Sequence, residues 1–137
     1  MIFSMPDTAI EQTVMVFIVN DMREILLARR LNTWFGENQF APPGGLVDAG
    51  ETPKAAAVRE VVEEVGLTVH SLSLLETGTT TGSGRVFQNY YFVTYDFSGI
   101  PVNTEPARHS EIGWHPLSHL PTDTMPLVRG IVERHLL

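Results

Sequence analysis

Residues 45–67, GLVDAGETPKAAAVREVVEEVGL, decide how the remainder of the chain is read. Thr52 suits an N-cap, Pro53 the first helical position and Gly66 a left-handed stop, so the spacing predicts a helix over about residues 53–65. Within it Val58, Val61, Val62 and Val65 recur at i, i+3, i+4 and i+7 and form an apolar stripe. Glu60, Glu63 and Glu64 project about half a turn away from that stripe. One face packs and the other carries three carboxylates. These repel one another, and the only cation near them within the helix is Arg59. A bare acidic triplet of this kind is usually a solvated face. The alternative is a hard divalent cation: Mg²⁺ takes oxygen ligands, and carboxylates one helical turn apart supply them.

Working outward, residues 13–19, TVMVFIV, form a nearly continuous apolar run ending at Asn20 and Asp21, which predicts a strand buried on both faces and then a turn. Residues 24–29, EILLAR, read as the returning strand of a hairpin-like pair. Between Arg30 and Pro43 the pattern breaks into a loop carrying Trp34, Phe35 and Phe40, and Pro42-Pro43-Gly44-Gly45 is turn chemistry. Downstream, residues 71–77 read as a strand, 79–84 as a flexible turn, 86–97 as a longer strand and 112–116 as a short one. Thr124-Met125-Pro126 opens a final helix with Val128, Ile131, Val132 and His135 on one face. This irregular alternation predicts an α+β fold, a mixed β-sheet flanked by helices in one domain over residues 1–137.

Composition narrows the partners. Of the 137 residues, 9 are Lys or Arg and 16 Asp or Glu, and the net charge of −7 has the wrong sign for a nucleic acid polymer. With 43% hydrophobic and 18% charged residues the chain has material for a core and too little charge for disorder. The absence of Cys excludes a disulfide framework, a thiolate metal site and a Cys nucleophile. Residues 1–7 carry neither a basic start nor a sustained apolar run. No stretch reaches the roughly 18 apolar residues of a membrane span, so a cytoplasmic location without membrane partners is expected. His70, His109, His115, His119 and His135 show no metal-ligand spacing and read as surface or core residues.

Residues 45–67 also resemble, without a departure, the Nudix box G-x5-E-x7-R-E-U-x-E-E-x-G-U, where U is a bulky aliphatic residue. The likeness extends more loosely to residues 25–30 and to the Asn103-x-Glu105-Pro106 and Trp114-x-Pro116-Leu117 elements. It implies a Nudix-type α/β/α sandwich, a MutT-like hydrolase, and metal-dependent water attack on a nucleoside diphosphate linked to a group X. The resemblance makes Glu60, Glu63 and Glu64 metal ligands for Mg²⁺, with Mn²⁺ as a substitute, and Glu63 and Glu64 catalytic. Gly44 and Gly45 allow a tight loop whose carbonyl approaches the metal without a Cβ in the way. Glu51 reaches Arg59 and holds loop to helix, and Gly66 ends the helix; these are scaffold roles.

MutT-like members carry an Arg at the strand end matching Arg29, which makes it the candidate phosphate contact. Trp34, Phe35, Phe40, Tyr90 and Phe92 are candidates for stacking a base, with Phe40 taken as the substrate-binding one. A fourth acid is expected beyond the box. Family members place it an odd number of residues before the matching Trp, and alternation along a strand favours Glu111, three residues before Trp114, over Glu105.

The favoured reaction is hydrolysis of a nucleoside triphosphate, plain or modified, to the monophosphate and pyrophosphate by a monomer or homodimer. ADP-ribose, a nucleotide sugar or a dinucleoside polyphosphate are alternative substrates. ADP-ribose members carry a Pro where this chain has Gly82-Ser83-Gly84, and dinucleoside polyphosphate members a Tyr where it has Arg85. A non-catalytic nucleotide sensor is the alternative from another class, although the box acids that sensors lose are intact here.

Overall fold

The computed structural model describes residues 10–33 and 35–137. The segment 1–7 and Trp34 read above lie outside the described residues. Strands β1 (Ile10–Ile18), β2 (Glu24–Arg30), β3 (Phe40–Ala41) and β4 (Gly44–Leu46) precede helix α1 (Pro53–Val65). Strands β5 (Thr68–Gly82), β6 (Arg85–Ser98) and β7 (His109–Pro116) follow, and helix α2 (Pro126–His135) comes last.

The strands form two sheets, β4-β1-β6-β5 and β3-β2-β7. The first is mixed, because β1 runs parallel to β6 and antiparallel to β4, and the second is antiparallel. The expected pairing of β1 with β2 does not form beyond a single bridge between Val19 and Ile25. Strand β6 pairs along the whole of one edge of β1 and β4 takes Thr13–Met15 on the other, while β2 pairs with β3 and β7.

The apolar run of β1 divides between two cores by the alternation of side chains. Val14, Val16 and Ile18 pack with Leu26 of β2 against Ala56, Ala57, Val61 and Val65 of α1. Phe17 and Val19 pack with Ile25 and Leu27 against Val128, Ile131 and Val132 of α2. One helix therefore covers each face of the strands, the α+β sandwich expected from the pattern.

Helix α1 runs where its caps place it: Thr52 Oγ1 accepts from the Ala55 N–H at 3.1 Å, and Gly66 adopts φ 71°. Its buried face is rotated from the predicted valine stripe. Ala56 and Ala57 let the helix lie close to the sheet, Val58 is half-buried and Val62 is 49% exposed. That rotation turns Glu64 inward. On α2, Val128, Ile131 and Val132 are buried as expected, while His135 is exposed and hydrogen-bonds Glu76 at 2.8 Å.

The turn expected over residues 79–84 is mostly strand. Strand β5 continues to Gly82, which pairs with Arg85, and Ser83 and Gly84, both at positive φ, alone make the turn. Strand β5 is the outer edge of its sheet and carries three register irregularities, between Val69 and Ser71, Ser71 and Ser73, and Leu74 and Glu76. No helix among the described residues is long and apolar enough to cross a membrane.

At Gly66 a built Cβ meets nothing within 4 Å, so an Ala there has only the conformational penalty of a left-handed residue. Gly66→Ala is expected to lower stability by about 1 kcal/mol, read from the urea midpoint at unchanged slope.

A candidate active site at a buried carboxylate

Glu64 is 7% exposed and forms the inner wall of the site. Its Oε2 accepts from the Gly44 N–H at 2.7 Å, while Oε1 faces Nε2 of His109 at 3.5 Å. Burial raises its pKa to about 8, the neighbouring Glu60 carboxylate adds to the shift and the Gly44 amide opposes it. Glu60 is half-buried and raised in the same direction, again chiefly by burial. Glu63 is the outermost of the three, with its side chain 53% exposed.

Arg59 organises the rim. Its Nε donates to Glu51 Oε2 at 2.8 Å and its Nη2 to Glu51 Oε1 at 2.9 Å, a bidentate pair across the loop before α1. Nη2 also donates to the Leu46 carbonyl at 3.0 Å, and Nη1 to Glu60 at 3.0 Å and Glu63 at 3.1 Å. The guanidinium holds the Glu51 carboxyl down to about 2, so that group stays ionised. At Gly45 a Cβ would collide with the Glu60 carboxylate, and at Gly44 with the Val14 carbonyl. Only glycines let β4 come this close to the acidic helix face.

The strand bearing the expected fourth acid is irregular. Between β2 and β7 the register shifts, Ala28 opposite Ile112 but Arg30 opposite His109, which inserts one extra residue into β7. Alternation from Trp114 therefore holds back to Glu111 and fails beyond it, at His109. Arg30 and His109 turn to the Glu64 side, where Glu64, Glu105 and His109 each offer a ligand atom, all within 4.8 Å of one another. Glu111 instead lies exposed in a second, shallower cleft with Arg29, Phe40, His115 and Asp123.

Arg29 is likewise turned away from the box glutamates. It pairs with Asp123 at 2.5 Å, donates to the Asn38 carbonyl at 2.8 Å and lies 4.4 Å from the Phe40 ring centroid. Phe40 is buried in the α2-side core. The sequence assigns Arg30 and His109 no site role and ranks Glu105 below Glu111. A signal for two of them was present, since Glu105 and His109 lie four apart, and the His109 N–H does donate to the Glu105 carbonyl at 3.0 Å.

A cavity of about 340 Å³ opens beside Glu64, between the two sheets. Arg30, Arg85 and Arg108 line it, as do Phe35, Phe87, Tyr91, Met125 and Leu127. Of the aromatic candidates among the described residues only Phe35 reaches it; Tyr90 and Phe92 stack on each other and pack in the α1-side core. The cavity floor holds a polar cluster with no sequence signature. Asn89, buried, accepts from Thr13 Oγ1 at 2.5 Å and donates to Thr80 Oγ1 at 3.1 Å.

These groups fit a hard divalent ion: clustered carboxylates, two of them raised in pKa chiefly by burial, and a glycine cradle that a Cβ would fill. Without metal the cluster is a liability whose pH dependence has a definite sign. Glu64 ionises near 4.5 when unfolded and near 8 when folded, so between these values the fold holds a proton that unfolding releases, and stability falls as pH rises. Glu64→Gln removes that slope. In chelator, the variant is expected to melt near the wild-type temperature at pH 5 and clearly above it at pH 8; a lower melting temperature at pH 8 would contradict the burial of a protonated acid here.

Residues 10–135 match the NUDIX domain. The chain is 42% identical over 94 residues to the 8-oxo-dGTP diphosphatase of Escherichia coli (strain K12), covering 69% of this chain and 73% of that protein. A shorter match, 47% identical over 58 residues, covers 42% of this chain and 34% of the ADP-ribose pyrophosphatase of Methanocaldococcus jannaschii. The fold superposes on the MutT NUDIX hydrolase from Burkholderia pseudomallei with a TM-score of 0.84 at 29% identity, covering 93% of this chain and 98% of the other. With its box intact, its fold shared and its buried glutamate at the mouth of a cleft, the chain belongs to the Nudix family as a MutT-like hydrolase.

Proposed function

We propose that this hydrolase converts a nucleoside triphosphate, with an oxidised purine nucleotide as the first candidate, to the monophosphate and pyrophosphate. The observation that carries the reading is the juxtaposition of the Glu60, Glu64 and Glu105 carboxylates with an Arg-lined cavity of about 340 Å³. The length of the match to the Escherichia coli 8-oxo-dGTP diphosphatase supports the triphosphate over ADP-ribose, whose named relative matches a much shorter stretch.

Glu60, Glu64 and Glu105 would hold Mg²⁺ or Mn²⁺ together with the Gly45 carbonyl, and Glu63 stands at the open side of the same helix face. The bound ion would neutralise phosphate charge and lower the pKa of a water. Arg30 and Arg108 are placed to bind phosphate oxygens, which takes that role from Arg29. Phe35, Phe87 and Leu127 offer apolar walls for a base, and Asn89, fixed by Thr13 and Thr80, a polar floor. Glu105 is our candidate for the fourth acid in preference to Glu111, and its place in the Glu64 cluster, which Glu111 does not share, supports that reading.

Activity is expected to require Mg²⁺ or Mn²⁺, and Glu63→Gln or Glu64→Gln to lower kcat by roughly 10²-fold or more, about 3 kcal/mol. Chromatography of the products should show monophosphate and pyrophosphate. Nucleoside diphosphate and orthophosphate would place the attack on a different phosphorus, and preferential turnover of ADP-ribose would reassign the substrate. Glu105→Gln should cost at least roughly tenfold in kcat, about 1.4 kcal/mol, and Glu111→Gln less, assayed on folded proteins at saturating metal. The opposite ranking would return the role to Glu111.

A further inference from the structure

His109 is 6% exposed, and its Nδ1 is buried without a hydrogen-bond partner among the described residues. The other nitrogen, Nε2, faces Glu64 Oε1 at 3.5 Å. An imidazole enclosed in this way forfeits the hydrogen bonds it makes with water, and a buried polar group left so needs a reason. The backbone fixes the ring in place rather than leaving it to chance. The β7 bulge turns His109 toward Glu64, its N–H donates to the Glu105 carbonyl, and its own carbonyl accepts from Asn103 Nδ2 at 2.8 Å.

The second observation is the company it keeps. Glu64 Oε2 is committed to the Gly44 amide, which leaves Oε1 on the His109 side. One ligand atom each from Glu64, Glu105 and His109 falls within 4.8 Å of the others, a separation that a single cation can bridge. Carboxylates alone suit Mg²⁺, whereas an imidazole nitrogen is a poor donor to Mg²⁺ and a good one to first-row transition metals.

The geometry points to His109 as a nitrogen ligand in the Glu64–Glu105 cluster, so that this subsite favours a transition-metal ion, Mn²⁺ or Co²⁺, over Mg²⁺. The inference rests on the placement of metal at Glu64 and Glu105 given under the proposed function. It goes beyond that placement in assigning a ligand that is not a box residue and a preference that an all-oxygen site lacks. His109 leaves the group of histidines read from sequence as having no ligand role.

The test uses the full chain loaded with Mn²⁺ and pulsed EPR, which reports hyperfine coupling from a directly bound imidazole nitrogen. Wild-type protein is expected to show the coupling and His109→Gln to lack it. In equilibrium binding, His109→Gln should weaken Mn²⁺ and Co²⁺ by about tenfold or more while changing Mg²⁺ by less than about twofold. The wild-type spectrum decides even if the variant fails to fold: absence of nitrogen coupling overturns the assignment. Equal losses for Mn²⁺ and Mg²⁺ in a folded variant also overturn it, because they mark a purely structural residue. Glu64→Gln separates the two levels. Mn²⁺ retained in that variant at wild-type affinity refutes the metal placement itself, and with it this inference; Mn²⁺ lost there, with no nitrogen coupling in wild type, refutes only the role of His109.

Discussion

A carboxylate taken out of water is the constraint around which this molecule is arranged. Glu64 sits on the packed side of α1, among positions filled by Ala57, Val61 and Val65, where an ionised group is strongly disfavoured unless something positive replaces its hydration. The Gly44 amide supplies one hydrogen bond, and supplies it only because two glycines bring β4 against the helix. Arg59, which could have neutralised the cluster, is committed at the rim to Glu51, Glu60, Glu63 and the Leu46 carbonyl. Arg30 offsets only part of the cost, so burial still dominates at the inner carboxylate. The scaffold holds open an electrostatic deficit that a divalent cation is suited to fill.

Much of this was legible in the sequence because it is local. The limits of α1 follow from Thr52, Pro53 and Gly66, whose effects reach one turn and no further. The pairing of Glu51 with Arg59 is likewise a short-range matter of a loop entering a helix. What could not be read depends on which strands meet. The β1–β2 hairpin looks plausible from any window of sequence, yet β1 pairs with β4 and β6, which arrive from elsewhere in the chain. Glu111 does lie on the face of β7 opposite Trp114, as alternation predicts. What no window of sequence shows is that one extra residue in β7 turns His109 rather than Glu111 toward Glu64. Arg29 and Arg30 are neighbours on β2 and face opposite ways, so Arg30 lines the cleft beside Glu64 and Arg29 the other. Asn89 had no signature because its partners, Thr13 and Thr80, lie in two other strands.

An acidic protein that takes an anionic substrate must keep its charges apart. With a net charge of −7 the long-range field repels a polyphosphate, and attraction has to be local. Strand alternation and the bulge accomplish the separation. Arg30 and His109 face the box glutamates, while Arg29 and Glu111 share the other cleft with Asp123, where Arg29 is already paired. Cations left to meet a ligand are thus concentrated along one wall, next to the acids that would carry the metal.

The outer edge of the larger sheet bears on a different property, colloidal behaviour. Strand β5 is 15 residues long and lacks a neighbour on its far side among the described residues, a length that in a flat strand would invite a second chain to add to the sheet. Three register shifts interrupt its ladder between Val69 and Glu76, while residues 76–82 pair without a break. Glu76, placed at the last of them, is held by Arg134 and His135 of α2, so an incoming strand would meet an ion-paired charge. The irregularities and the charge at Glu76 thus work against strand addition over the first half of β5, where making the strand regular would lower solubility.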